Sequence, residues 1–236
     1  MKNNKWDGIN PLFCHASPRN IPEVREALDT IPCDKLIVKY MSEPEAYTFM
    51  RNFFLAKKDY THMILASDDI IATAEVFKIL MDDLAENPFY PVFSGIMNID
   101  YHHKHIFNVC EDIDENTKQF TEIDTQYPYN WLPIMDWPNI RQVEYVGFSF
   151  TFIKRAVVNL IPFRGINGLD LWFCIDCKKL RIPIWIDPNA RMLHLKGKEG
   201  TSGLLVGQKP SRVIYDKCIG GPTIVPEMFN LNPRPS

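Results

Sequence analysis

The sequence predicts an α/β protein built on an open, mostly parallel sheet flanked by helices. Three observations carry that prediction. Over residues 12–97, short apolar runs alternate with amphipathic stretches, the order that lays parallel strands side by side under helical crossovers. The third of these runs is apolar through its centre, as a strand covered on both faces must be. A chain of 236 residues with 46% apolar composition also suffices for one compact core and a short appendage.

Taken in order, residues 12–16 read as the first strand. It enters a loop through Ser17, Pro18, Arg19 and Asn20. Residues 21–28 then form a helix with Pro22 in its first turn, where a missing N–H costs nothing. Residues 35–41, with Leu36, Ile37 and Val38, are the second strand. A helix follows over 43–58, where Tyr47, Met50 and Phe54 make an apolar stripe. The third strand, 61–66, ends abruptly at Ser67-Asp68-Asp69. Another helix spans 73–84 with Val76, Phe77, Leu80 and Leu84 in register, and 90–97 make the fourth strand.

Regularity then lapses. Residues 98–139 are polar, aromatic and proline-bearing, with His102, His103 and His105 near the start and Tyr127, Tyr129, Trp131 and Trp137 near the end. An insertion this long in a compact domain is usually functional, and a hairpin is expected within it. Residues 142–152 alternate as one strand containing Gly147, followed by a short helix over 153–160. A glycine-containing loop at 164–169 leads to a helix over 170–180, a strand over 182–186 and an extended piece, 191–195, that bears His194. The chain therefore divides into one domain over 1–196, with halves at about 10–97 and 98–196, and a glycine- and proline-rich segment over 197–236 that wraps it or forms a lid.

Charge and cysteine usage narrow the classes. A formal net charge of -3 supplies no field that would draw the protein to nucleic acid. The apolar runs are far shorter than the roughly 20 residues of a membrane span, and residues 1–10 lack the apolar region of a secretory signal. A cytoplasmic protein is expected, with peripheral membrane association left open. Six scattered cysteines read as reduced. Cys174 and Cys177, three apart in a helix, read as core packing, with metal or redox chemistry as the alternative.

The acidic pair Asp68-Asp69 is the sharpest feature. It follows a buried strand, and the carboxyl ends of strands border the ligand crevice in open α/β sheets. Two carboxylates there can hold a hard divalent cation, Mn2+ or Mg2+, that bridges phosphates. The alternative is that Asp68 caps the next helix and Asp69 is solvated. Further on stand a glycine-bearing strand, Tyr145-Val146-Gly147-Phe148-Ser149-Phe150, an aspartate at a helix start, Gly168-Leu169-Asp170-Leu171, and His194 between two leucines.

In this order, over roughly residues 10–196, the chain resembles the GT-A glycosyltransferases, particularly the small family-two-like members. The resemblance implies a Rossmann-like sheet with an acceptor-side insertion, and transfer of a sugar from a UDP- or GDP-linked donor to a glycan, lipid-linked or protein acceptor. It implies Asp69 and His194 as metal ligands, with Asp68 on metal, ribose or sugar. Asp170 would be the general base of an inverting reaction, and Gly147 would lay backbone beside the donor sugar. Ala16, Ser17, Arg19 and Tyr40 would line the nucleotide, and Lys196 would close over the diphosphate. The family's Asp-x-Asp is here Ser67-Asp68-Asp69-Ile70, and its common Glu-Asp is Leu169-Asp170.

Two other classes stay in view. A sugar nucleotidyltransferase would share the sheet and the metal, but it should carry a glycine-rich loop after the first strand, and Cys14-His15-Ala16-Ser17-Pro18-Arg19 has no glycine. A Gly-x-Gly-x-x-Gly or Walker-type loop is missing there too. A non-enzymatic module that binds carbohydrate or protein would use the aromatic stretch over 101–137 as a stacking surface.

Overall fold

The structure, a computed structural model, describes residues 5–17, 20–39, 41–97, 106–110, 113, 131–133, 139–164, 168–195, 212–217 and 221–223. In chain order the elements are β1 (Pro11–Ser17), α1 (Pro22–Asp29), β2 (Asp34–Lys39), α2 (Glu43–Ala56), β3 (His62–Ala66), β4 (Ile70–Ile71), α3 (Ala74–Glu86) and β5 (Val92–Met97). There follow β6 (Ile106–Cys110), β7 (Trp131–Pro133), β8 (Arg141–Val143), β9 (Tyr145–Val146), β10 (Ser149–Lys154), α4 (Arg155–Leu160), α5 (Leu169–Lys179), β11 (Ile184–His194), β12 (Arg212–Lys217) and β13 (Gly221–Thr223).

Among the described residues, ten strands form one sheet in the order β13-β12-β2-β1-β3-β10-β5-β11-β4, with β8 also paired to β11. The pairs β1–β2, β1–β3 and β5–β11 are parallel. The sheet is mixed rather than mostly parallel, because β10 runs antiparallel between β3 and β5 and β12 runs antiparallel along β2. A second sheet, β7-β6-β9, is antiparallel and contains the hairpin β6–β7.

Alternation along the central strands builds two cores. Leu12, Cys14 and Ala16 of β1 and Met63 and Leu65 of β3 face α2, α4 and α5, against Tyr47, Met50, Phe54, Val158 and Phe173. Phe13, Ile64 and Ala66 face the other way, against Val24 and Leu28 of α1 and Phe77 and Leu80 of α3. Each fully buried Leu or Phe contributes roughly 1.5–3 kcal/mol, and the two layers fix the sheet between helices. Cys174 and Cys177 are free thiols buried in the first of these cores.

Two departures from the sequence pattern shape the site. The alternating run 142–152 is not one strand but three short ones, β8, β9 and β10, divided between the two sheets. Alternation records which side of the backbone is buried, not which sheet buries it. The break falls at Gly147, and the β10–β3 register shifts between Ser149 and Thr151, where Phe150 takes a φ of 73°. Conversely, the strand at 182–186 and the extended piece at 191–195 are one element, β11, with a register shift between Ile186 and Arg191.

Candidate active site

The carboxyl end of β3 turns through Ser67, Asp68 and Asp69 into the two-residue strand β4. That strand pairs with the far end of β11, setting Ile70 opposite His194, and the Leu195 N–H donates to the Asp69 carbonyl at 2.8 Å. The ladder brings the Asp69 carboxylate (Oδ2) to 3.3 Å from the His194 imidazole (Nε2). Divalent cations such as Mg2+ hold ligands at about 2.1 Å, so neighbouring ligands of an octahedral site stand about 3 Å apart. The separation is near that spacing, and the carboxylate suits a hard cation, whereas an imidazole is a poor ligand for Mg2+. Among the described residues, no group of three or more His, Cys, Asp or Glu side chains could hold a metal ion, so phosphate oxygens or water would have to complete the shell. Helix capping does not use the acidic pair, because the N-cap of α3 is Thr73, whose hydroxyl accepts from the Val76 N–H.

Asp68 and Asp69 also act on two buried rings. His15, near the end of β1, is 2% exposed, and burial lowers its pKa to about 4 against the opposing pull of Asp68, the Ala66 carbonyl and Asp69. It is therefore neutral at physiological pH. Its Nδ1 is buried without a hydrogen-bond partner among the described residues. Tyr47, on α2, has its phenol pKa raised well above the usual value, first by burial and then by Glu43, Asp170, Asp68 and Asp69. The charges of Asp68, Asp69 and Asp170, a hundred residues apart in sequence, thus act in the same direction on Tyr47.

Asp170 lies in the first turn of α5, after Gly168 in a left-handed conformation at the N-cap. It is half-buried, and each of its oxygens meets a donor. The Tyr145 hydroxyl donates to Oδ2 at 2.9 Å and the Leu171 N–H to Oδ1 at 2.8 Å. Burial raises its pKa, while Tyr145, the Leu171 N–H and the Phe148 N–H pull it down.

Gly147 is required by the packing around this carboxylate. A Cβ there would stand 2.8 Å from Asn108 Nδ2 and 3.2 Å from Asp170 Oδ2. Asn108, 2% exposed, ties the segment together: Nδ2 donates to Ser149 Oγ at 2.8 Å and to the Gly147 carbonyl at 3.3 Å, and Oδ1 accepts from the Met97 N–H at 2.9 Å. The Phe148 carbonyl accepts from the Ser67 N–H at 2.9 Å, beside the acidic pair. The Phe148 ring stacks on Tyr47 at 5.6 Å. One short segment therefore touches both the acidic loop and Asp170.

Of the other residues expected at the site, Ala16 and Ser17 close β1 and are buried, while Arg19, Tyr40 and Lys196 lie outside the described residues. His102, His103, His105, Tyr127, Tyr129 and Trp137 also lie outside them. Sequence reasoning missed His15, Asn108 and Tyr145 as site residues and placed Tyr47 only in a core stripe. The available signal was polar atoms at positions the patterning buries: a histidine inside the first strand, and a tyrosine two residues before a glycine.

The fold is similar to the crystal structure of A197 from STIV, at a TM-score of 0.52 and 16% identity, over 76% of this chain and 82% of that one. No family profile and no curated protein matches the chain. The likeness concerns the fold: an α/β protein whose mixed sheet is flanked by helices in a Rossmann-like arrangement. Among the described residues, no helix is long and apolar enough to cross a membrane.

Proposed function

We propose that the protein is a glycosyltransferase that moves a sugar from a UDP- or GDP-linked donor to a hydroxyl acceptor. The observation that carries this reading is that one short segment joins the candidate groups at the carboxyl ends of the strands: the Phe148 carbonyl accepts from the Ser67 N–H at 2.9 Å beside Asp68 and Asp69, and a Cβ on Gly147 would stand 3.2 Å from Asp170 Oδ2. Asp69 and His194 would hold a divalent cation. When bound, such an ion offsets the charge of a departing diphosphate. Asp170 would take the proton of the acceptor hydroxyl as that oxygen attacks the anomeric carbon. Attack opposite the leaving group inverts configuration. A carboxyl group raised by burial suits this role, since a base works best with a pKa near the operating pH. Gly147 leaves the space beside Asp170 free of a side chain.

The test is thermal unfolding with UDP, GDP and other nucleoside diphosphates, each with and without Mn2+, in wild type and Asp69→Ala. Binding at a hundred times Kd adds about 2.7 kcal/mol, or about 5–11 °C for a domain of this size. A Mn2+-dependent rise for one base, lost in Asp69→Ala, supports the transferase and names its donor. A flat response to every nucleotide rejects it in favour of a non-catalytic binding module.

A further inference from the structure

We infer that Tyr145 is a positioning residue for Asp170, its hydroxyl holding the carboxylate in one plane and in the ionised form that proton abstraction needs. The inference rests on the reading of Asp170 as the base. Tyr145 is 8% exposed and sits in β9, whose pairing sets it opposite Cys110 of β6, so the ring is fixed by sheet and core. Its hydroxyl reaches Oδ2 at 2.9 Å while the Leu171 N–H occupies Oδ1 at 2.8 Å. Two donors on two oxygens define the carboxylate plane. Each oxygen can accept about two hydrogen bonds, so the Tyr145 and Leu171 donors occupy one site on each.

The chemistry of the contact points one way. A phenol ordinarily titrates near pH 10, so at neutral pH the hydroxyl is a donor, and it favours the charged carboxylate over the neutral acid. Among the forces on Asp170, burial acts first and upward, and the Tyr145 hydrogen bond is the largest that opposes it. The other titratable groups around the carboxylate are Tyr47 from α2 and Cys174 from α5. Both are pushed up by burial and stay neutral near pH 7. Asn108 on β6 presents an uncharged amide. Tyr145 is thus the side-chain donor that offsets the burial of Asp170.

The test is a carbon-13 NMR titration of the aspartate carboxyls in the ligand-free protein, with Asp170→Asn to assign the signal. A hydrogen bond to a charged group is worth roughly 1.5–3 kcal/mol, so Tyr145→Phe should move the Asp170 midpoint up by about one pH unit or more. Incorporating 3-fluorotyrosine at 145, a stronger donor that opens no cavity, should move it down, and covers the case in which the phenylalanine variant folds poorly. An unchanged midpoint in both overturns the inference. The paired measurement is Mn2+-dependent hydrolysis of UDP-glucose, UDP-N-acetylglucosamine and GDP-mannose against pH. The acid limb of kcat/KM should move with the NMR midpoint, because a base must be deprotonated to act. A midpoint that moves while the limb stays, or while no donor is turned over, removes Asp170 as base and with it the positioning role.

Discussion

The two ends of the central sheet treat polar groups differently. At the amino end, Arg155 follows β10 and its guanidinium closes the carboxyl end of α2. It donates to the carbonyls of Tyr60 at 2.7 Å, Phe54 at 3.0 Å, Leu55 at 3.3 Å and Lys57, and lies 4.4 Å above the Phe54 ring. Lys35, buried at the start of β2, donates to the carbonyls of Ile31 and Cys33. At the carboxyl end, His15 has a buried nitrogen unpaired among the described residues, Phe150 sits at positive φ inside a core, and burial with nearby carboxylate charge pushes the Tyr47 phenol up. The amino end has its own exception in His62. Its Nδ1 meets the Thr61 hydroxyl at 2.9 Å, but its Nε2 is unpaired among the described residues, and burial lowers its pKa to about 4. The contrast still teaches where the fold spends stability. Strain and unpaired polar atoms persist only where surrounding structure imposes them.

Removing the Arg155 contacts at the amino end should lower stability and leave the other end working. Arg155→Met keeps an apolar stem and removes every carbonyl contact of the guanidinium. Several coupled, charge-assisted bonds are lost, so about 3 kcal/mol or more is expected, which lowers Tm by roughly 6–12 °C. A nucleotide-induced rise in Tm should persist on top of the lower baseline; its disappearance would mean that the two ends are not independent. Gly147→Ala probes the strained end. The added Cβ meets a buried amide at 2.8 Å and the Asp170 carboxylate at 3.2 Å, so about 1–3 kcal/mol of overpacking is expected. Catalysis should fall further than stability, with nucleotide binding retained, as steady-state rates and thermal shift measured together would reveal.

The sequence revealed the regular part of this contrast better than the irregular part. Strand–helix alternation over β1 to β5 was visible because each element buries one clear stripe or one full run. The break at Gly147 was not, because the apolar positions only shift phase there, from Val143 and Tyr145 to Phe148, Phe150 and Phe152, and a phase shift does not tell a bulge from a change of sheet. Nor was β4, two residues long, whose pairing sets Asp69 against His194. Asp69, Asp170 and His194 stood out because a polar residue ends an apolar run or starts a helix. His15, Asn108 and Tyr145 carry polar atoms inside strands, and whether such an atom meets a partner depends on segments far away in sequence. The antiparallel β10 was hidden for a related reason: a strand buried on both faces reads the same in either direction.

A pH-dependent effect lies in a third region, between α3 and the irregular middle of β11, and it sharpens the comparison by isolating one carboxylate from any site. Asp83 faces Asp187, which is 3% exposed and accepts from the Asn189 N–H at 2.9 Å. Burial, followed by the neighbouring Asp187 carboxylate, raises the Asp83 pKa to about 7. An unfolded aspartate titrates near 4. The folded state therefore holds a proton that the unfolded chain releases between about pH 4 and 7, and stability falls with rising pH across that window. The contribution is intact below the unfolded value and is lost as pH passes the folded one. Asp83→Asn keeps the shape and cannot ionise, so its Tm should gain on wild type steadily from pH 4 to 7 and then run parallel above it. A constant difference across the whole range would show that folding does not raise the Asp83 pKa.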